Sequence, residues 1–153
     1  MSLHLSSTAF SADETIPKRN TCDGADQSPP LAWSGAPSGT QSYALIVEDP
    51  DAPGGTFVHW VIYRIPATSA ELAAGVPHQA ELASGARQGR NSFRRVGYGG
   101  PCPPAGPPHH YHFRLYALNA PIDLTPGASV SELRAAMNGH VLDETDLVGL
   151  YGR

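Results

Sequence analysis

The chain has 153 residues, of which 41% are hydrophobic and only 16% are charged, and its formal net charge is -4. This length is enough to bury one hydrophobic core, so we expect a single domain over residues 1–153. The slight acidic excess argues against nucleic-acid binding, because a phosphate backbone requires clustered lysine and arginine. The 16 glycines and 15 prolines indicate many turns. This composition is typical of an all-β protein with few helices.

The N-terminal residues contain no positively charged segment followed by a long apolar run. No stretch of about 18 apolar residues, the length of a membrane-spanning helix, occurs elsewhere. We therefore expect neither a signal peptide nor a transmembrane helix, and we expect a cytoplasmic location. In a reducing compartment Cys22 and Cys102 would usually be free thiols, but two cysteines are also compatible with one disulfide.

The first forty residues read as an arm that wraps around the rest of the chain. Leu3 and Leu5 alternate with polar residues, which weakly predicts a strand, and turn-forming residues follow up to a brief extended piece at 31–33. Residues 42–48 are apolar at positions facing both sides of a strand. This pattern predicts a central strand, which ends at Asp49.

A second long strand is predicted over residues 56–65, after a loop of proline and glycine. Strict alternation places His59 on one face with Val61 and Tyr63. The segment from 66 to 88 has scattered alanine and glycine and predicts mostly loop with one helical turn.

A loop rich in glycine and proline, residues 99–108, leads directly into a third strand that ends at Leu118. Alternation there puts His109 and Tyr111 on one face. Ser129 and Glu132 have the spacing of a capping box, which predicts a helix that stops at 138–139. A last short strand is expected within residues 140–151.

Several motifs that would define an enzyme class are missing from the sequence. It has no phosphate-cradling glycine-rich loop followed by lysine, no G-x-S-x-G nucleophile elbow and no Cys-x-x-Cys pair. Nucleotide hydrolases, α/β-hydrolases and thioredoxin-like enzymes are therefore excluded.

Polar side chains with hydrogen-bonding capacity lie at the ends of the predicted strands. Asp49 ends one strand, His59 lies on a second, and His109 and Tyr111 begin a third. Two imidazoles and a phenol can donate hydrogen bonds to one anion, while a carboxylate orients a histidine. These residues predict a small phosphate or carboxylate site, although each of them alone is equally compatible with a hydrogen-bonded residue of the core.

Two other sites can be built from the same part of the sequence. A metal could be held by imidazole and carboxylate ligands drawn from His59, His109, His110, His112 and Asp49, but the spacing gives this little support. Alternatively, Cys102, held between two prolines, could act as a nucleophile with a nearby histidine.

Several separated motifs resemble the phosphatidylethanolamine-binding protein family. They are Asp-Pro-Asp-Ala-Pro at 49–53, His-Trp at 59–60, Gly-Pro-Cys-Pro-Pro at 100–104 and His-His-Tyr at 109–111. The segments Thr-Cys-Asp-Gly at 21–24, Ser-Pro-Pro-Leu-Ala-Trp at 28–33 and Leu-Val-Gly-Leu-Tyr-Gly-Arg at 147–153 resemble its bacterial and archaeal branch, often labelled Raf kinase inhibitor-like. The resemblance covers nearly the whole chain.

This resemblance implies two antiparallel sheets, one large and one small, with an anion pocket at one end of the large sheet. It assigns the pocket to seven residues: Asp49, His59, Cys102, Pro103, Pro104, His109 and Tyr111. The backbone amide of Cys102 would help to hold the anion. The family also implies a cis peptide bond between Ala52 and Pro53, which proline permits at modest cost.

The function expected from the residues and the resemblance together is non-enzymatic binding of a small phosphate-bearing or carboxylate-bearing ligand, without a cofactor. A lipid headgroup at a membrane surface is one source of such an anion, and inhibition of a kinase or protease is a further role within the family. The alternative is a small hydrolase that uses Asp49 and His109, or Cys102, on an ester or phosphoester.

Eukaryotic relatives close this pocket with a C-terminal helix, which has no counterpart after Tyr151. We therefore expect a second subunit to cover the open side, which makes a homodimer.

Overall fold

The computed structural model describes residues 2–153. Its strands are β1 (His4–Ser6), β2 (Leu31–Ser34), β3 (Ser42–Asp49), β4 (Phe57–Pro66), β5 (Glu71–Leu72), β6 (Arg87–Gln88), β7 (His109–Leu118) and β8 (Val141–Tyr151). One α-helix, α1 (Val130–Met137), and one short 3-10 helix (Lys18–Asn20) complete the regular structure of this range.

The strands form two antiparallel sheets of unequal size. The small sheet has the order β1-β2-β5, and the large sheet has the order β6-β4-β3-β7-β8. The predicted all-β fold with one large and one small sheet is therefore confirmed.

Strand β3 is the centre of the large sheet, and all eight of its residues are buried. One face of the sheet packs against the small sheet, and the other is covered by α1 and the chain leading into it. The first core includes Leu5, Trp33, Leu45, Val47, Trp60 and Phe113, and the second includes Ala44, Ile46, Tyr63, Leu133 and Met137. These two cores explain why β3 has apolar side chains on both of its faces.

Helix α1 begins with the predicted capping box. The Ser129 hydroxyl accepts a hydrogen bond from the Glu132 amide at 3.1 Å, and the Glu132 carboxylate accepts one from the Ser129 amide at 3.0 Å. These bonds satisfy amides that have no partner at a helix start. Within residues 2–153, no helix is both long and apolar enough to span a membrane.

A β-bulge in β4 changes the direction of His59. Glu48 pairs with Val58 and Val47 pairs with Trp60, so His59 is an extra residue without a partner in the register. The prediction that His59 shares a face with Val61 and Tyr63 is wrong, because those two side chains lie in the core under α1. The bulge instead places the His59 side chain on the opposite face of the sheet, where it contacts the Tyr111 ring near the start of β7.

Two further segments differ from the sequence prediction. Residues 66–88 contain the short strands β5 and β6 and no helix, so the predicted helical turn is wrong. Strand β8 is longer than expected, with 11 residues. Its C-terminal half is paired on its outer side by the N-terminal arm, where Asp13 donates to Val148 at 2.8 Å and Ile16 donates to Leu150 at 2.7 Å.

Candidate anion-binding site

A cavity of about 220 Å³ opens where β3 ends and where β4 and β7 begin. All seven residues that the sequence analysis assigned to a pocket line it, together with Ala52 and Pro53 of the loop after Asp49 and with Phe57 and Phe93. The lining residues are Asp49, Ala52, Pro53, Phe57, His59, Phe93, Cys102, Pro103, Pro104, His109 and Tyr111. The sheet topology explains this convergence, because antiparallel neighbours of β3 start where β3 ends.

The loop after β3 forms one wall of the cavity. Its turn is closed by the Asp51 amide, which donates to the Asp49 carboxylate at 2.8 Å, and by the Gly55 amide, which donates to the Ala52 carbonyl at 3.1 Å. The peptide bond between Ala52 and Pro53 is trans, and no cis peptide bond occurs in residues 2–153. The expected cis bond is therefore wrong. These two hydrogen bonds close the turn with the trans isomer, which X-Pro bonds prefer.

Asp49 and His109 form a buried pair at the base of this wall. The His109 Nδ1 donates to one carboxylate oxygen of Asp49 at 2.7 Å, while the Asp51 amide occupies the other. Asp49 is only 3% exposed, so these two hydrogen bonds stabilise its buried carboxylate. Because Nδ1 is committed to the carboxylate, Nε2 is the ring nitrogen of His109 that remains for a ligand.

His59 is held by the opposite wall. Its Nδ1 lies 2.7 Å from the Gly99 carbonyl oxygen. A carbonyl can only accept, so Nδ1 carries the hydrogen. The ring makes edge contacts with Tyr111 and Phe93 at centroid distances of 5.2 and 5.6 Å and a tilted contact with Phe57 at 4.9 Å. These aromatic rings enclose the imidazole, which is anchored through Nδ1.

Burial lowers the pKa of the His59 imidazole below its ordinary value of about 6.5, against weaker opposing effects of the Gly99 carbonyl and the Asp49 carboxylate. The folded protein therefore binds fewer protons at His59 than the unfolded chain does. We expect His59 to contribute full stability above pH 6.5 and to lose it as the pH falls towards its folded pKa. Histidine NMR titration measures this directly, and a folded pKa at or above that of an unstructured peptide would contradict the assignment.

Tyr111 lies between the two histidines. Its ring is 1% exposed and is stacked on His109 at 6.4 Å. Burial, with the nearby carboxylates of Asp49 and Asp51, raises the pKa of the Tyr111 phenol. The hydroxyl therefore stays protonated at physiological pH and keeps a hydrogen that it can donate. Tyr111 is thus a donor available to a ligand.

A disulfide joins Cys22 to Cys102 and ties the wall at 101–104 to the N-terminal arm. The pair of free thiols expected from the sequence is therefore wrong, and so is the alternative in which Cys102 is a nucleophile, because a disulfide sulfur is not a thiolate. The Cys22 amide also donates to the Pro101 carbonyl at 3.1 Å. Arg153 covers the bond, with one guanidinium nitrogen 3.0 Å from the Cys102 Sγ and 3.2 Å from an Asp23 carboxylate oxygen.

Gly100 lets this wall approach the arm closely. A Cβ at this position would collide with the Asn20 carbonyl oxygen and would lie 2.9 Å from the Thr21 Cα, both of which are backbone atoms. We expect Gly100→Ala to lower the free energy of unfolding by about 2 to 3 kcal/mol, the usual cost of overpacking. Chemical denaturation tests this. Gly54→Ala is the control because a Cβ there meets no neighbouring atom, and equal losses in the two variants would refute the close approach.

The other two histidines of this region point away from the cavity. The His110 Nδ1 is bonded to Asp51 and the His112 Nδ1 to Asp146, each at 2.8 Å. Their carboxylate partners are different, so these side chains do not converge. Within residues 2–153 no group of three histidine, cysteine or acidic side chains has the geometry of a metal site.

Phe57 and Phe93 complete the cavity and were not predicted from the sequence. Their rings are 4.7 Å apart in an edge contact. Phe57 lies two residues before His59 on β4, so strand alternation puts both side chains on one face of the sheet. This shared face is the sequence signal that could have identified Phe57 as a pocket residue. Phe93 comes from the loop between β6 and β7, and no pattern in that segment indicates a role.

Comparison with known proteins agrees with this architecture. The family model described as phosphatidylethanolamine-binding protein matches residues 6–152. A UPF0098 protein of Methanothermobacter thermautotrophicus is 50% identical over 151 residues, covering 99% of both chains. One from Pyrococcus horikoshii is 49% identical, covering 100% of this chain and 78% of its own.

Two solved structures have nearly the same fold. Escherichia coli YbcL, described as a new member of the mammalian PEBP family, superposes with a TM-score of 0.92 at 34% identity over 100% of this chain and 99% of its own. Chlamydia trachomatis CT736 gives a TM-score of 0.90 at 36% identity over 99% and 98% of the two chains. The chain therefore belongs to the phosphatidylethanolamine-binding protein family.

Proposed function

We propose that the cavity binds a small oxyanion, such as a phosphate or carboxylate group, and does not turn it over. One observation is the main support for this proposal. The side chains of His59, His109 and Tyr111 line one cavity, and the imidazole hydrogen bonds to Gly99 and Asp49 are both made by Nδ1, which leaves each Nε2 and the Tyr111 hydroxyl for a ligand. Unpartnered polar atoms in a largely apolar cavity are the usual mark of a binding site for a polar group.

The lining residues favour binding over catalysis. They include no serine, threonine or lysine, and Cys102 is in a disulfide. The Asp49 carboxylate already accepts two hydrogen bonds and is not free to attack. The commonest nucleophiles of covalent catalysis, a serine or threonine hydroxyl, a free thiol and a lysine amine, are therefore not among the lining residues. A hydrolase would have to use the Asp49 and His109 pair as a general base on water.

Two guanidinium groups in contact with residues of the cavity wall support the choice of an anion. The Arg95 guanidinium lies 5.7 Å from the centroid of the Phe93 ring, and the Arg153 guanidinium contacts Cys102. Both aromatic ring and sulfur belong to the cavity wall. Guanidinium groups beside a cavity mouth attract anions over a distance of about a Debye length.

The family is named for binding phosphatidylethanolamine, whose headgroup carries a phosphate. A phospholipid headgroup and a free phosphate ester are two sources of the same chemical group. Inhibition of a kinase or a protease would follow if the cavity took a phosphorylated or acidic side chain of that partner, and this role is part of the proposal.

Calorimetric titration with inorganic phosphate tests the proposal. We expect Asp49→Asn to weaken phosphate binding by roughly 10- to 100-fold, because a neutral amide is a weaker partner for the His109 Nδ1 hydrogen than a carboxylate and orients the ring less firmly. Asp146→Asn is the matched control, since it removes the partner of His112 on the outer side of β7. Equal affinities in wild type and Asp49→Asn, or no binding by wild type, would overturn the proposal.

Turnover separates the two functions. A panel of esters and phosphoesters should show no reaction that depends on His109. A rate that disappears in His109→Ala and persists in His112→Ala would instead establish the hydrolase.

The homodimer and the cytoplasmic location stay predictions. Among the described residues, the exposed large hydrophobic side chains are Val141 and Leu142. They lie at the end of β8 that pairs with Leu118, opposite the cavity. A subunit that covers the cavity would therefore use a different surface. The Cys22–Cys102 disulfide would require a cytoplasm that does not reduce it.

A further inference from the structure

The Cys22–Cys102 disulfide lies at the surface of the cavity wall, where other molecules can reach it. Cys102 is exposed and Cys22 is partly exposed. Cys102 also lines the cavity, whereas Cys22 belongs to the N-terminal arm. Exposed disulfides are more readily reduced by thiols than buried structural ones. The Cys102 sulfur is therefore open to attack by a dithiol.

Arg153 is placed to assist that attack. One nitrogen of its guanidinium group donates to the Cys22 Sγ at 2.8 Å and to the Cys102 Sγ at 3.0 Å. A guanidinium group beside a sulfur stabilises its thiolate, and a more stable thiolate leaves faster. Asp23 shares this guanidinium, with an oxygen 3.2 Å from the same nitrogen, and offsets part of its charge. Attack on Cys102 thus releases Cys22 as a thiolate that contacts Arg153.

The wall segment 101–104 has few other ties to the rest of the protein. Just before it, the Gly100 amide donates to the Asp26 carboxylate at 2.8 Å. Residues 102–105, in contrast, form no backbone–backbone hydrogen bond with any residue of the range 2–153. Three of the four residues in 101–104 are prolines, so Cys102 carries the only backbone N–H of the segment. The crosslinked residue is therefore also the one that can offer a ligand a backbone donor from this wall.

The two histidines of the cavity are anchored without the disulfide. His59 is bonded to the Gly99 carbonyl and His109 to the Asp49 carboxylate, each at 2.7 Å. Neither hydrogen bond involves the arm that carries the other half of the crosslink. Loss of the disulfide should therefore loosen residues 102–104 and leave both imidazoles in place.

We propose that the Cys22–Cys102 disulfide is a redox modification site through which a dithiol, such as a protein with two redox-active thiols, weakens anion binding in the cavity. This regulation rests on the proposed anion-binding function. One thiolate of the dithiol bonds to the Cys102 Sγ, and the Cys22 Sγ leaves. The second thiolate then attacks the dithiol sulfur that is bound to Cys102, and the Cys102 Sγ leaves. Two electrons pass to the protein, the two protons of the dithiol end on the cysteine sulfurs, and the dithiol becomes a disulfide.

Reduction changes the affinity because an anion must then order the wall that the crosslink otherwise fixes beforehand. We expect the affinity for inorganic phosphate to fall roughly tenfold on reduction, since preorganisation of a site removes such an ordering cost. Linkage requires the reciprocal effect. Saturating phosphate should shift the reduction equilibrium with dithiothreitol roughly tenfold towards the disulfide.

Calorimetric titration of oxidised and reduced wild type with inorganic phosphate provides the test, at a temperature where circular dichroism shows the oxidised protein to be folded. The double variant Cys22→Ser, Cys102→Ser should bind phosphate as the reduced wild type does and should not respond to dithiothreitol. The reduction equilibrium is measured with phosphate and, as a control, with sodium chloride at the same ionic strength.

The rate of reduction tests the part that Arg153 plays. Arg153→Gln should slow reduction by dithiothreitol roughly three- to tenfold, because the departing Cys22 thiolate loses its cationic partner. Arg19→Gln is the matched control, since it removes the same charge from the arm and its side chain touches neither sulfur in the described part of the chain. Equal rates in wild type and Arg153→Gln would contradict this part of the proposal.

The outcomes separate this inference from the proposed function. If oxidised and reduced wild type bind phosphate equally, the redox regulation is wrong and the anion site stands. If neither form binds phosphate, the anion site itself is wrong and the regulation with it. A reduced wild type that is unfolded would also contradict the regulation, because the cavity histidines are expected to stay in place. Should the double variant not fold, the two wild-type affinities and the effect of phosphate on the reduction equilibrium still decide the inference.

Discussion

Replacing Cys22 and Cys102 together by serine is expected to lower the free energy of unfolding by about 4 kcal/mol. The disulfide closes a loop with a sequence separation of 80, and a crosslink of that span restricts the unfolded chain by about this amount. The expected fall in Tm is roughly 10 °C. Urea denaturation of the oxidised wild type and the double variant measures the difference.

Reduction of the wild type provides the control for this prediction. A dithiol reductant should bring the wild type to the stability of the double variant and should leave the double variant unchanged. A difference below about 1 kcal/mol between oxidised wild type and double variant would mean that the crosslink adds little to the hydrogen bond between Cys22 and Pro101.

Trp60→Ala is expected to lower the free energy of unfolding by about 3 to 5 kcal/mol, the range for deleting a buried aromatic side chain. Trp60 is fully buried and packs edge-on against Tyr98 at 5.5 Å. Its indole nitrogen donates to the Gln88 side-chain oxygen at 2.7 Å, while the Gln88 amide donates to the carbonyls of Pro77 and Gln79. The substitution therefore leaves a cavity and an unpaired buried acceptor.

Trp60→Phe separates the two contributions. It keeps a six-membered ring, removes the donor to Gln88 and leaves a much smaller cavity than alanine does, so its cost should be about 1 to 3 kcal/mol. Denaturant titration of both variants measures the two values. Equal losses would show that the hydrogen bond outweighs the packing, and a loss below 1 kcal/mol for Trp60→Ala would contradict the burial.

The sequence predicted the large sheet and the helix because their signals are local. Each signal depends on a few neighbouring positions. The signals are the apolar side chains on both faces of β3, the alternation of Tyr111 and Phe113 on β7, and the capping box at Ser129. Such patterns are readable without knowing which strands pair.

The features that the sequence did not predict depend on pairing across the fold. The direction of His59 follows from the register of β4 against β3, and alternation along β4 alone gives the wrong face. The disulfide joins residues that are 80 apart, and the position of Phe93 depends on how its loop returns to the cavity. The site residues came from their places at the strand ends and from motif resemblance, whereas the position of the ring hydrogen of His59 required its contact with Gly99.

The most direct test of an anion site is a phosphate titration followed by long-range proton–nitrogen NMR of the histidine rings. We expect shifts of the His59 and His109 Nε2 resonances that saturate together, with His59 keeping its hydrogen on Nδ1, while the His112 resonances do not move. Saturating phosphate that leaves His59 and His109 unchanged, or that shifts only the outward-facing His110 and His112, would contradict it.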